Sequence, residues 1–368
     1  MQSKRARPAR IRRWLLWPVL VVLALGILAT LAWTTWSERH PESERELRIE
    51  VQQRLQEWFP EQMTLPDELI GFIPRSARFE PERRPDVILV HGLDEPGGIW
   101  DALVERLDAA GFNAWEFRFP NDQAIDHSTD LLARYWAQLP APDGHDITLI
   151  GHSMGGLVIR DFITRWRHPA DRPPGILGAR VDGAILVAPP NQGSEWARLR
   201  AWLELREFQS DIAEGRFSLF AGLRDGTGAA KIDLRPGSAF LEALNDRDWP
   251  ESVDLHIIGG LITEPTPAMT ENLRAVGEDL ELPGLAEQIE DLWTGTGENL
   301  GDGAVPIESL AVPGGPEPLV VNASHRGLLV PGPLGEGPPP AIEPIIDRLQ
   351  LWREPVPAGE RPETDDVR

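Results

Sequence analysis

The chain has 368 residues, a formal net charge of −22 from 36 basic against 58 acidic side chains, and no cysteine. That length is enough to bury a sizeable core. The missing cysteines exclude disulfides, thiolate metal sites and a cysteine nucleophile, and the acidic balance argues against nucleic acid as a partner.

Residues 1–13 run against this trend, with Lys4, Arg5, Arg7, Arg10, Arg12 and Arg13 and no acid, which leaves the remaining chain near −28. Residues 14–36 are apolar and uncharged, with Trp14 and Trp17 at one end and Trp33 and Trp36 at the other. About 20 residues at 1.5 Å rise match a hydrocarbon core of ~30 Å, and tryptophans favour its two interfaces. A single-pass transmembrane signal anchor is therefore expected. By the positive-inside rule the basic cluster is expected to keep the N-terminus cytoplasmic, with everything after Ser37 translocated, into the periplasm if the cell is Gram-negative. A cleaved signal peptide is the competing reading, but the apolar run exceeds the usual signal core of about 7 to 15 residues.

Within the juxtamembrane stretch 37–65, Leu47, Val51, Leu55 and Trp58 recur at helical spacing among charges. They predict an amphipathic helix that packs on the following domain. Its acidic character opposes the alternative of adhesion to anionic headgroups.

From residue 66 to 353 the pattern predicts one α/β domain. Strands are expected at 87–90, 114–117, 147–150, 181–187, 253–260 and 319–321. Helices are expected at 99–110, 125–138, after residue 153 and at 342–352. Alternation of this kind predicts βαβ units, a mostly parallel sheet with helices on both faces, and chemistry at the carboxyl ends of the strands. Two insertions interrupt it. Residues 194–250 carry Trp196, Leu199, Trp202, Leu203, Leu205 and Phe208 as a wide apolar stripe; a mobile lid and an ordinary packed helix both fit. The second, 263–300, is polar, and the proline-rich tail 354–368 is expected to be disordered.

The hexapeptide Gly151-His152-Ser153-Met154-Gly155-Gly156 follows a predicted strand and opens a predicted helix. Read as G-x-S-x-G, it is the nucleophile elbow, a turn so tight that its neighbours must lack a Cβ. A serine hydroxyl needs a base to take its proton and an acid to orient that base, in the chain order serine, acid, histidine. His40, His91, His127 and His145 precede Ser153, and His152 adjoins it and is expected to point elsewhere. His168 closes a helix and His256 sits within a strand. That leaves His325, in a loop past the last strand. Asp302, between Gly301 and Gly303, is the best acid, with Asp291 and Glu298 as rivals. The oxyanion hole is expected from the N–H groups of Met154 and Leu93, the latter in the loop after the first of the predicted strands.

Taken together, His91-Gly92, the elbow, Pro189-Pro190-Asn191-Gln192-Gly193-Ser194, Gly301-Asp302-Gly303-Ala304-Val305-Pro306 and Ser324-His325-Arg326-Gly327-Leu328 resemble the lipase-like branch of the α/β-hydrolase superfamily. The resemblance covers roughly residues 86–350. It implies hydrolysis of carboxylic esters of lipids or small hydrophobic molecules through an acyl-enzyme on Ser153, with His325 as general base then acid and Asp302 as its orienter. Two departures stand out. Asn191-Gln192 occupies a segment that often holds a histidine, and Gly327 stands where calcium-dependent members usually carry an aspartate. No metal or cofactor is expected. The same triad would also serve an acyltransferase, thioesterase or amidase, and the fold alone a non-catalytic scaffold or lipase chaperone.

Overall fold

The computed structural model describes residues 13–66, 69–77, 84–93, 98–139, 146–195, 224–262, 301–331 and 338–353. Among these, seven strands form one sheet: β1 Gly71–Pro74, β2 Val87–Val90, β3 Ala114–Arg118, β4 Asp146–His152, β5 Arg180–Val187, β6 Asp254–Gly260 and β7 Leu319–Val321. Their spatial order is β1-β3-β2-β4-β5-β6-β7. All neighbours are parallel except β1, which pairs antiparallel with β3. The predicted strands are all present. β1 escapes prediction because four residues, bounded by glycine and proline, are too few to show a period.

The helices are α1 Arg13–Arg39, α2 Pro41–Trp58, α3 Pro60–Met63, α4 Asp101–Ala109, α5 Ile125–Trp136, α6 Met154–Asp161, α7 Ala229–Asp233, α8 Ala239–Asn245 and α9 Ile342–Arg353. A π-helical turn, Phe162–Arg167, extends α6, and a 3₁₀ turn spans Ile307–Leu310. The sheet is covered on both faces. In β2, Val87 and Leu89 join one buried cluster with Leu103, Leu107, Ile342 and Ile345, while Ile88 and Val90 join the other with Leu132, Trp136, Leu157 and Phe162. A strand buried on both sides reads as a continuous apolar run, which is why Val-Ile-Leu-Val forms it.

About half of the first insertion, residues 196–223 with Trp196 and Trp202, lies outside the described residues, as do residues 263–300 and the tail from 354. The described remainder of the insertion supplies α7 and α8, whose Ala230, Phe240, Leu241 and Leu244 are part of the core.

α1 is a 27-residue helix containing the whole apolar stretch expected to span a membrane. The side chains of its residues 13–20, 22–24, 27 and 31 lie outside the described set. Among the described residues no helix is long and apolar enough to cross a membrane.

α2 packs on the domain, as expected, but with a different face. Trp58 is 66% exposed and Leu47 and Val51 40% each, whereas Glu44 is only 1% exposed. The docking face is polar. Glu44 accepts from the hydroxyl of Ser37, from Arg48 at 2.7 Å and from Arg235 at 3.3 Å. Arg45 donates to Asp233 at 2.6 Å and to Asp126 at 2.8 Å. Arg48 donates to the carbonyl of Thr227, and the Thr227 hydroxyl donates back to the Arg48 carbonyl at 2.7 Å. Burial pushes the Asp233 carboxyl up to about 6 against the pull of Arg45. An apolar period identifies a helix but not which neighbour it meets, and here buried charges chose the neighbour. Asp233→Ala would take the acceptor from the Ile125 N–H, which donates to Asp233 at 2.8 Å, and leave Arg45 with Asp126 alone. We expect a loss of about 3 kcal/mol, read from the urea midpoint of the whole chain.

Candidate active site

β4 ends at His152 and α6 begins at Met154, so Ser153 alone makes the turn, with φ 54° and ψ −127°. That is strained backbone for a residue with a Cβ, and the strain is held by close packing on either side. A Cβ on Gly155 would come 2.1 Å from the carbonyl oxygen of Val90, and one on Gly151 would meet the Gly155 carbonyl carbon at 2.7 Å. The two glycines of the motif are therefore required by backbone approach. The Ser153 N–H donates to Val187 on β5 at 2.8 Å, which fixes the turn to the neighbouring strand.

His325 and Asp302 meet, 23 residues apart in sequence. His325 Nδ1 lies 2.7 Å from Asp302 Oδ2. The second carboxylate oxygen accepts from the backbone N–H groups of Ala304 at 2.9 Å and Val305 at 2.8 Å. The His325 N–H donates to the Asp302 carbonyl at 2.9 Å, so the two loops are joined by backbone as well. A carboxylate facing Nδ1 places the ring proton there and leaves Nε2 as the acceptor, the tautomer a general base needs. Asp302 is buried and its charge is met by three donors, which is how a carboxylate is kept inside a protein.

The loops converge because β6 ends in glycine. A Cβ on Gly260 would meet the Ala323 carbonyl oxygen at 2.6 Å and the Asp302 Cβ at 2.7 Å. The Asp302 loop is braced in turn by the segment after β5. Ser194 donates to the Ala304 carbonyl, Ser309 donates to the Gly193 carbonyl at 2.6 Å, and Asn191 Nδ2 donates to the Leu310 carbonyl at 2.6 Å. Asn191 Oδ1 accepts from the buried Arg160 of α6 at 3.0 Å. Burial lowers that guanidinium to about 9.

Of the expected oxyanion donors, Met154 is fully buried at the start of α6, and Leu93 is half-buried against the core. Gly92 runs beside the serine: a Cβ there would lie 2.9 Å from Ser153 Cβ and 3.5 Å from its Oγ. The rival acids Asp291 and Glu298 lie outside the described residues. His168 and His256, set aside as structural, are held down to about 4 by burial first and by neighbouring arginines second.

His152 departs from expectation. Instead of pointing away, its ring packs against that of His325 with centroids 4.7 Å apart, and its Nε2 lies 3.1 Å from the His325 carbonyl oxygen. The alternation of a strand predicts opposite directions for neighbours, and the turn at Ser153 ends that alternation. The parity rule therefore had no way to reveal the contact.

Residues 87–334 match the family described as alpha/beta hydrolase. The chain belongs to that family. Among solved structures, the mature lipase BlEst2 of Bacillus licheniformis is similar at 15% identity, covering 75% of this chain and 97% of that one with a TM-score of 0.46. The Staphylococcus hyicus lipase is 14% identical, with 76% and 99% covered and a TM-score of 0.48. The Paleococcus ferrophilus monoacylglycerol lipase is 15% identical, with 77% and 99% covered and a TM-score of 0.42. No curated protein matches the sequence. The match begins at β2, the strand whose end packs on the Ser153 turn. The chemistry of an alpha/beta hydrolase site is therefore judged on the residues just described.

Gly155→Ala is expected to cost about 3 kcal/mol or more and to prevent accumulation of folded protein, because the Cβ meets backbone that has nowhere to move. Soluble expression and a thermal melt check this. His152 has its pKa held well below 6.5 by burial, with His325, Arg326 and His91 adding repulsion. Below pH 6.5 the unfolded chain therefore takes a proton that the folded chain refuses, and folding stability falls as the pH drops. A His152→Gln protein has nothing to titrate there. It should lose less stability than the wild type between about pH 7 and 5, measured by calorimetry.

Proposed function

We propose that this chain is a serine hydrolase that cleaves carboxylic esters of lipids or small hydrophobic molecules. Ser153 attacks the acyl carbon, His325 takes its proton and returns it to the leaving alcohol, and Asp302 holds the imidazole in the required tautomer. Water then releases the acyl group by the same proton path. The N–H groups of Met154 and Leu93 receive the oxyanion, each such donor being worth roughly 3 to 4 kcal/mol. The observation that carries this reading is the contact of His325 with the buried Asp302 at 2.7 Å, set against the strained serine turn through the contact of His152 with His325.

The enzyme is also proposed to be anchored by α1, with the α/β domain outside the cytoplasm. The uncharged run from Trp14 to Trp36 behind six basic residues supports this. The anchor places the site near a bilayer and favours acyl lipids as substrates.

A fluorophosphonate probe is expected to label Ser153 of the full-length protein, and Ser153→Ala to abolish both labelling and hydrolysis of p-nitrophenyl esters. Asp302→Asn should keep the fold and lower kcat by about 10³ to 10⁴, since the amide presents the wrong partner to Nδ1. Ester hydrolysis unchanged in Ser153→Ala would overturn the hydrolase assignment. Release of the protein from membranes by alkaline carbonate would overturn the anchor.

A further inference from the structure

His152 takes no part in the proton path above, yet it is only 3% exposed and lies beside the candidate base. A carbonyl oxygen can only accept, so the contact of 3.1 Å with the His325 carbonyl requires the proton on Nε2 of His152. Its Nδ1 is then an unprotonated acceptor, buried and without a hydrogen-bond partner among the described residues. A phenylalanine ring would fill this space without burying that acceptor, so packing alone does not account for an imidazole here.

Resting on the serine-hydrolase reading, we propose that His152 is a positioning residue for the base: its Nε2–H holds the backbone of His325 and its ring backs the imidazole, fixing the base against the nucleophile turn. The loop of His325 is held from two directions. Its N–H and its Nδ1–H both donate to Asp302, which sets base against acid. The bond from His152 ties the same residue to the strand whose next residue is Ser153. Base and nucleophile are thus registered through one side chain and one peptide bond, with no intervening loop. Proton transfer tolerates little misplacement, and an error of about 1 Å costs on the order of a hundredfold. Burial keeps His152 uncharged, so this grip persists while His325 cycles between its protonated and neutral forms.

The test uses the full-length protein with His152→Phe, which removes the donor and keeps a ring, and His152→Gln, whose amide N–H reaches close to the position of imidazole Nε2. For His152→Phe, kcat should fall about 10- to 100-fold while KM stays within about twofold of wild type. The rate of fluorophosphonate labelling at Ser153 should fall in parallel. His152→Gln should recover most of both. Thermal melts accompany the kinetics, because a purely structural role would lower the melting temperature of His152→Phe without changing kcat per folded molecule. If His152→Phe does not fold, His152→Met, unbranched and lacking a donor, takes its place. A donorless variant with wild-type kcat, or a Gln variant as slow as the donorless one, overturns the proposal. Failure of wild-type Ser153 to label sinks the hydrolase reading and this one with it. Labelled wild type with an unaffected donorless variant sinks this one alone.

Discussion

Gly155 passes under the end of β2 so closely that a single methyl group there would overlap the Val90 carbonyl oxygen. That approach fixes the first turn of α6 against the middle of the sheet, where Val90 also pairs with Gly151 on β4. With strand end and helix start pinned together, the one residue left between β4 and α6 has to turn sharply, and Ser153 takes φ 54° as the result. Nor is the geometry local to the serine. The chain leaving β2 has to run past the same turn, which brings Gly92 against the Ser153 side chain and sets Leu93 next in line. One steric constraint therefore places both Ser153, the proposed nucleophile, and the segment proposed to complete the oxyanion hole, each directly at the end of a buried strand.

The proposed acid and base, Asp302 and His325, lie in loops beyond later strands and need a second constraint to meet. Gly260 supplies the space, and the Asp302 carboxylate supplies the attraction, drawing Nδ1–H of His325 and two backbone N–H groups onto itself. Behind it, Asn191 links the buried Arg160 of α6 to the Leu310 carbonyl beside the acid loop. The helix that carries the serine and the loop that carries the acid thus share one polar brace. The Asn191 amide serves both ends of that brace, offering an acceptor to Arg160 and a donor to the Leu310 carbonyl.

The parts legible in the sequence were those governed by short-range rules. Val87–Val90 and Leu319–Val321 were found to the residue because apolar runs bounded by breakers have few other readings. Ser153 is read from the elbow motif, His325 from chain order and elimination, and Asp302 from its place between two glycines with Asp291 and Glu298 as rivals; the structure brings Asp302 and His325 into contact. What the sequence hid depends on tertiary partners. β1 is too short for a period and exists because β3 offers it an edge. The contact of His152 with His325 arises from two loops converging at a turn, which no alternation rule describes. In α2 the apolar stripe was visible and the periodicity correct, yet the buried side chains are Glu44 and Gln52.

That last difference bears on how the N-terminal helices are joined to the rest. A helix seated on an apolar stripe can slide or roll by a turn at modest cost, because one methyl group replaces another. A helix seated on Glu44, Arg45 and Arg48 cannot, since any shift leaves a charge buried without its partner, a penalty of about 3 to 5 kcal/mol. The partners of Arg45 lie on two different elements, Asp126 on α5 and Asp233 on α7, so both the position and the rotation of α2 are specified. α1 precedes α2 with only His40 between them. α5 also packs on α6, the helix that Ser153 begins, so the orientation of α2 is referred to the same elements that hold Ser153. The polar docking face thus sacrifices the apolar burial that the stripe would have offered and gains a fixed register between the N-terminal helices and the site.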